Sequence, residues 1–310
     1  MATIVISSVG SGAGRDYATI SAWITAKAGN FVTQDVIQKA ELYDDSVFSE
    51  AVSLTGATTD DTRYWWIAPA AGCEHFGIPG AGVQITNSGH VLSIANDAII
   101  EGIEIRDWGS SSGTTTYHGI NITASKYITI KKCIIHDRTL VSGYGRGMGI
   151  YSPSWYYSNI QAYNNFIYNI TSSESSRNSG IYGVTKVYNN TLVNCKIGIT
   201  SDSGRVTANN NITQDCDDGF FGSFYGYSYN NLSDISSDAP GYNPVTASLT
   251  FVNAASENYH LAASDTAAIN AGYDMSATFT DDIDGQTRAS FDIGADEYIA
   301  PAISRYHMML

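Results

Sequence analysis

Residues 98–107 read AIIEGIEIRD, residues 128–137 read ITIKKCIIHD, and residues 160–169 read IQAYNNFIYN. The series continues with VYNNTLVN at 187–194, VTANNNITQD at 206–215 and YSYNNLSD at 227–234. Each is a short alternating strand broken near its middle by a polar pair, usually Asn-Asn. Aligned on that break, the stretches share one column: Ile103, Cys133, Asn165, Asn190, Asn211 and Asn231, with the last two open to a shift of one residue. Neighbours in the column are 30, 32, 25, 21 and 20 residues apart. A drifting period near the twenties, with strands as the repeat unit, marks a solenoid.

An alternating partner strand precedes each stretch: HVLSIA at 90–95, HGINITA at 118–124, GMGIYSP at 147–153, SGIYGVT at 179–185, IGITSDS at 197–203 and DGFFGS at 218–223. Most have a glycine at or beside the start. Two strands per unit, a tight turn and a longer loop predict one coil of a parallel β-helix, with one face of each strand turned to a thin core. Loop lengths vary while the strands do not, which a solenoid tolerates because each coil touches only its neighbours. Asparagine suits the break because it tolerates the left-handed backbone of a sharp bend and bonds its own chain. Stacked amides can also bond the coils above and below. A surface array of glycan-binding amides is the alternative, but Ile103 and Cys133 in the same column favour an inward structural ladder.

The 310-residue chain is 15% charged and 12% aromatic, with 6 prolines and a formal net charge of −14. That suits one elongated solenoid with caps and speaks against disorder. The negative charge disfavours nucleic acid as a partner, and none is expected. No stretch is long and apolar enough for a membrane helix, and residues 1–16 lack the basic start and apolar run of a signal peptide. The expectation is therefore no membrane and folding in a cytoplasm. Cys73, Cys133, Cys195 and Cys216 form no CxxC and no disulfide pattern, so they read as small buried hydrophobes.

Ahead of the repeats, residues 10–14 (GSGAG) lack the Gly-Lys-Ser/Thr ending of a phosphate loop and read as a turn. Residues 16–29 predict an amphipathic helix with Ile20, Trp23 and Ile24 on one face, suited to lie across the open end of the solenoid. Strands are expected within 35–45, 51–54 and 64–70. Adjacent Cys73, Glu74 and His75 do not have a usual zinc spacing. The loops at 109–119 and 171–180 are long and polar. Phe220 to Tyr229 is aromatic at almost every second position, fit either for stacking on sugar rings or for packing and a subunit interface.

Near the end, residues 249–274 read LTFVNAASENYHLAASDTAAINAGYD and residues 280–298 read TDDIDGQTRASFDIGADEY. This segment closely resembles the closing block of right-handed parallel β-helix repeat proteins, including those of bacterial surfaces. The match spans FVNA, YHL, AINAG, DIDGQTR and DIGADE, about a sixth of the chain, and with the coils the resemblance covers about two thirds. The front end, DYATISAW with AELYD and TDDTRY, resembles β-helix proteins of tailed phages and prophages. The fold expected is all-β: a single-stranded right-handed parallel β-helix with a short N-terminal capping helix and a C-terminal cap. Residues 1–89 would form the N-terminal cap and first coils, 90–234 the repeats, 235–298 the closing coils and C-terminal cap, and 299–310 a C-terminal arm that docks on a neighbour.

The phage resemblance implies a non-enzymatic virion structural protein, in capsid decoration or as a tail fibre or spike, assembled in the host cytoplasm. Its partners would be other capsid or tail proteins, further copies of itself with a homotrimer favoured, and a surface glycan. The alternatives are a glycan-processing tailspike depolymerase, lyase or hydrolase, and a bacterial adhesin-like β-helix. The Asn-Thr-Asp, Gly-His-Gly and Arg-Ile-Lys motifs of pectin hydrolases are absent, and only Asp217-Asp218 resembles their acidic pair. His136, Asp137 and Arg138 sit together at a strand end, without a partner motif that would make them an acid/base set. Asp281, Asp282, Asp284, Asp292, Asp296 and Glu297 surround Arg288, which reads either as a calcium site or as an Arg-centred cap with Asp-Gly turns. The latter is favoured, so no catalytic residue, cofactor site or metal site is expected.

Overall fold

The computed structural model describes residues 1–109, 115–124, 126–140, 146–153, 159–172 and 178–300, with the backbone alone at 139, 140, 172 and 202–205. The expected arm at 299–310 thus lies almost wholly outside the described residues, as do parts of the two polar loops. Strand makes up 39% of the protein and helix 6%, and the strands form long parallel sheets. The chain is a parallel β-helix.

The coils have three strands, not two. Each stretch aligned above is itself a pair of strands on different faces. In one coil, Ile120–Ile122 lies on the first face, Ile128–Lys131 on the second and Ile134–Leu140 on the third. Each pairs in parallel with its equivalent one coil away, as Ile128 with Ile160 and Ile134 with Phe166. Among the described residues the third face holds nine strands, and the other two faces are joined because Ile197–Asn209 runs from one to the other. The stack starts at Thr3–Val9, paired with Val36–Leu42, so coils begin well before residue 90.

The polar pair divides its work. Its first member bends the chain: Gly102, Lys132, Asn164, Asn189, Asn210 and Asn230 all have φ between 46° and 64°. A left-handed residue costs Gly and Asn least, which accounts for the residue types. The second member turns inward. Asn165 Nδ2 donates to Asn190 Oδ1 at 2.8 Å, Asn190 Nδ2 to Asn211 Oδ1 at 3.0 Å, and Asn211 Nδ2 to Asn231 Oδ1 at 3.0 Å. Cys133 joins the column by donating its backbone N–H to Asn165 Oδ1 at 2.9 Å. The column therefore holds in the register drawn from the sequence, without a shift. A second bend in each coil uses Asp107, Asp137, Asn169, Asn194 and Asp215, also left-handed.

The strand-start glycines mark where the core is thinnest. A Cβ on Gly119 would sit 2.8 Å from the Gly149 carbonyl oxygen, and one on Gly149 would sit 2.6 Å from that of Gly180. Isoleucines fill the rest, with Ile100, Ile105, Ile130, Ile135, Ile167 and Ile199 fully buried. At the first coils, the helix Ile20–Lys27 closes the end as its apolar face predicts. Thr19 caps it, the Glu50 carboxylate accepts from Ile20 and Ser21 N–H, and Trp23 meets Trp65 edge-on at 4.9 Å. Among the described residues no helix is long and apolar enough to cross a membrane.

Candidate functional site

The polar chemistry of the protein gathers where the closing segment lies back over the solenoid. Leu249, Phe251, Tyr259, Leu261 and Ile293 form a second core on the third face with Ile134, Phe166, Tyr168, Val193 and Ile212. Met275, Phe279 and Phe291 cover Tyr163 and Tyr188 on the second face. The segment becomes a strap along the first bend, held by the left-handed asparagines. Asn230 donates to the Ala271 carbonyl at 2.7 Å, Asn210 to Tyr273 at 2.8 Å, Asn189 to Asp292 at 2.9 Å, and Asn164 to Asp281 at 2.7 Å. Each Asn-Asn pair thus builds two ladders, an inner one between coils and an outer one to the strap.

Arg288 is the centre of the strap. Its guanidinium is buried and donates to Glu297 Oε2, Asn164 Oδ1, and the carbonyls of Asp281, Gly294, Ala295 and Asp296. The surrounding carboxylates bind backbone N–H groups. Asp282 accepts from Asp284, Gln286 and Glu297; Asp292 from Asn270 and Tyr298; Glu297 from Ala289, Ser290 and Asp292. The acidic block is an Arg-centred cap. Burial raises the Asp292 carboxyl to about 6 against the opposing backbone bonds, and burial likewise raises Asp296 to about 6.

One end of the strap borders a cleft of about 300 Å³ lined by Lys39, Trp66, His75, Glu101, Lys132 and Asp284, among others. Its charges are already matched. Lys39 pairs with Glu41 at 2.9 Å, and Lys132 pairs with Asp281. His75 is buried, and burial lowers it to about 4. Its Nε2–H donates to the Lys132 carbonyl at 2.8 Å while Nδ1 accepts from Gly77 N–H at 2.9 Å, so both ring nitrogens are occupied. Cys73 points instead to Asp44, and Glu74 caps Gly72 N–H. Glu74 and His75 both line the cleft, but Cys73 does not join them, so the three residues form no common ligand set.

The strap also brings together a set that sequence spacing hid. His260 Nδ1 bonds Asn258 Oδ1 at 2.6 Å, and Nε2 bonds Asp284 Oδ1 at 3.1 Å. One ligand atom each from His260, Asp284 and Asp296 lies within 4.8 Å of the others, a donor set suited to a divalent cation. Burial would lower the His260 pKa, but the bond to Asp284 and the charge of Asp296 raise it overall, so a proton on Nε2 serves the same carboxylates. These residues lie up to 36 positions apart, so only the folded strap unites them.

The His136-Asp137-Arg138 triplet splits. His136 Nε2 bonds Glu104 Oε1 at 2.9 Å, and Nδ1 lies 3.0 Å from Asp137 Oδ2 in an ion pair. Burial lowers the His136 pKa, but the bonds to Asp137 and Glu104 outweigh it and hold it at about 9. Arg138 turns away into the core. The Asp217-Asp218 pair also parts: Asp217 binds Lys196, while burial and nearby Asp238 raise the Asp218 carboxyl. In the aromatic run, Tyr229 stacks on Tyr273 at 4.6 Å and on Tyr242 at 5.4 Å, leaving Tyr227, Tyr242 and Tyr273 exposed. No family model, curated protein or solved structure matches the chain.

Proposed function

We propose that the chain is a non-catalytic structural protein of a tailed-phage particle, in capsid decoration or as a tail fibre or spike, assembled in the host cytoplasm with other virion proteins. The observation that carries this reading is how the acidic cap is employed. Its carboxylates and Arg288 are bonded to the backbone of the strap and to the solenoid bend, which is the work of a scaffold built to stay folded. The front-end resemblance to phage β-helices supplies the particle. Further copies of the chain, in a homotrimer, are the favoured partners, with the exposed tyrosines as contact surface. The test is copurification with particles, alongside incubation with host capsule or lipopolysaccharide. Particle-bound protein and no released oligosaccharide are expected.

A second reading, a glycan-processing depolymerase, draws on one feature. Asp218 and Asp238 form a carboxyl pair with a raised member, the kind of asymmetry a general acid needs. Oligosaccharide release abolished by Asp218→Asn would replace the structural reading with this one.

A further inference from the structure

The residue following the second bend points inward, and in successive coils it is Trp108, Arg138, Ile170, Cys195 and Cys216, all buried. An arginine is out of place in that series. Arg138 is 1% exposed, and its Nε and Nη1 have no hydrogen-bond partner. Burial lowers its pKa with no neighbouring charge to oppose the fall, and among the described residues no carboxylate pairs with it. Contrast Arg288, equally buried, which spends its donors on two side chains and four carbonyls. A buried guanidinium with two nitrogens left without acceptors is strongly unfavourable.

The surroundings are fitted to this side chain, and among the described residues they offer no acceptor to Nε or Nη1. A Cβ on Gly147 would come within 2.6 Å of Arg138 Nε, and one on Gly109 within 3.2 Å. Neither glycine adds a side chain to the guanidinium. Trp108, next to Gly109 and one coil from Arg138 in the same series, also carries a buried donor without a partner, Nε1. His118 stays neutral, since burial and the charges of His90 and Arg138 lower it to about 3, and its Nδ1 is taken by Met148 N–H. Around this bend the described residues supply one fixed positive charge with two open N–H donors, and none of them supplies a negatively charged acceptor.

We propose that Arg138 is the receptor of a small-oxyanion site under Gly109 and Gly147, taking a carboxylate, sulfate or phosphate group. Such groups match the planar guanidinium, and an ion pair shielded from water is the strong form of this contact. The group can come from a free anion or from the carboxylate of an acidic sugar. The site stands independently of the particle role.

The experiment is thermal unfolding of the full chain with millimolar sodium sulfate, phosphate or glucuronate, against glucose and sodium chloride at matched ionic strength. Wild type should gain several degrees, saturably, with at least one oxyanion and nothing with the controls. Arg138→Met should start no lower than wild type without anion and should not respond. A response to glucuronate alone assigns an acidic sugar; a response to sulfate or phosphate assigns a free oxyanion. A wild type that is flat in every arm overturns the proposal. So does an Arg138→Met protein destabilised equally with and without anion, because the guanidinium is then satisfied within the chain. Should the variant fail to fold, the Arg138 Nε–H resonance of wild type decides: it must shift on titration with the oxyanion and stay put with chloride.

Discussion

A single side chain in the inner ladder does more than fill space. The Asn190 amide donates to the Ala162 and Tyr188 carbonyls and to Asn211 Oδ1, while its oxygen accepts from Asn165 N–H and Nδ2–H. Asn190→Leu keeps the volume but strands those partners in a dry core. It should lower stability by about 2–4 kcal/mol, since each unsatisfied buried group costs about 1–3 kcal/mol. Urea unfolding measures it, and an unchanged midpoint would contradict the ladder. His136 gives a prediction in pH. Its folded pKa of about 9 lies above the ordinary histidine value, so its contribution is fully present below the unfolded pKa of about 6.5 and fades as pH rises through 9. His136→Gln should lose up to about 3 kcal/mol at pH 6 and nearly nothing at pH 10. A loss independent of pH would mean that packing on Tyr168, not charge, is what the histidine supplies.

For strands and bends, the sequence was informative wherever one residue type is required at one backbone position. The Asn column and the strand-start glycines are of that kind, because left-handed bends and a thin core leave few choices. Gly149→Ala should lower stability by about 1–3 kcal/mol, as overpacking does, and a calorimetric scan would detect it. An equally stable alanine variant would show that the coils can part at that point. The third strand of each coil was missed because bend and strand share one alternating run, and a left-handed residue does not break the pattern of apolar side chains. The site was less legible. Cys73 turns to Asp44 while Glu74 and His75 line the cleft, and Arg138 turns into the core while His136 and Asp137 stay paired, because the irregular backbone at 73–75 and the left-handed Asp137 set side-chain directions that sequence adjacency does not show. His260, Asp284 and Asp296 converge only because the strap folds back, and no local spacing encodes that.

At the scale of the molecule, the exposed Tyr227, Tyr242 and Tyr273 lie at the end where the coils finish. If they are the contact surface of a homotrimer, light scattering should give three times the chain mass, and Tyr242→Ser with Tyr273→Ser should shift it toward one. A monomer at every concentration would remove the trimer. The strap has a different effect. An array of coils touching only their neighbours unravels piecemeal from its ends. Here Arg288 is bonded to Asn164, 124 positions away, and Asp292 to Asn189, 103 positions away. Those long loops must close after the coils exist, so the slow step of folding should be the arrival of the C-terminal segment, with high contact order concentrated there. Once it has arrived, coils far apart in the stack must let go together. The strap should give a repeat protein the all-or-none melting of a globular one, seen as a single calorimetric transition.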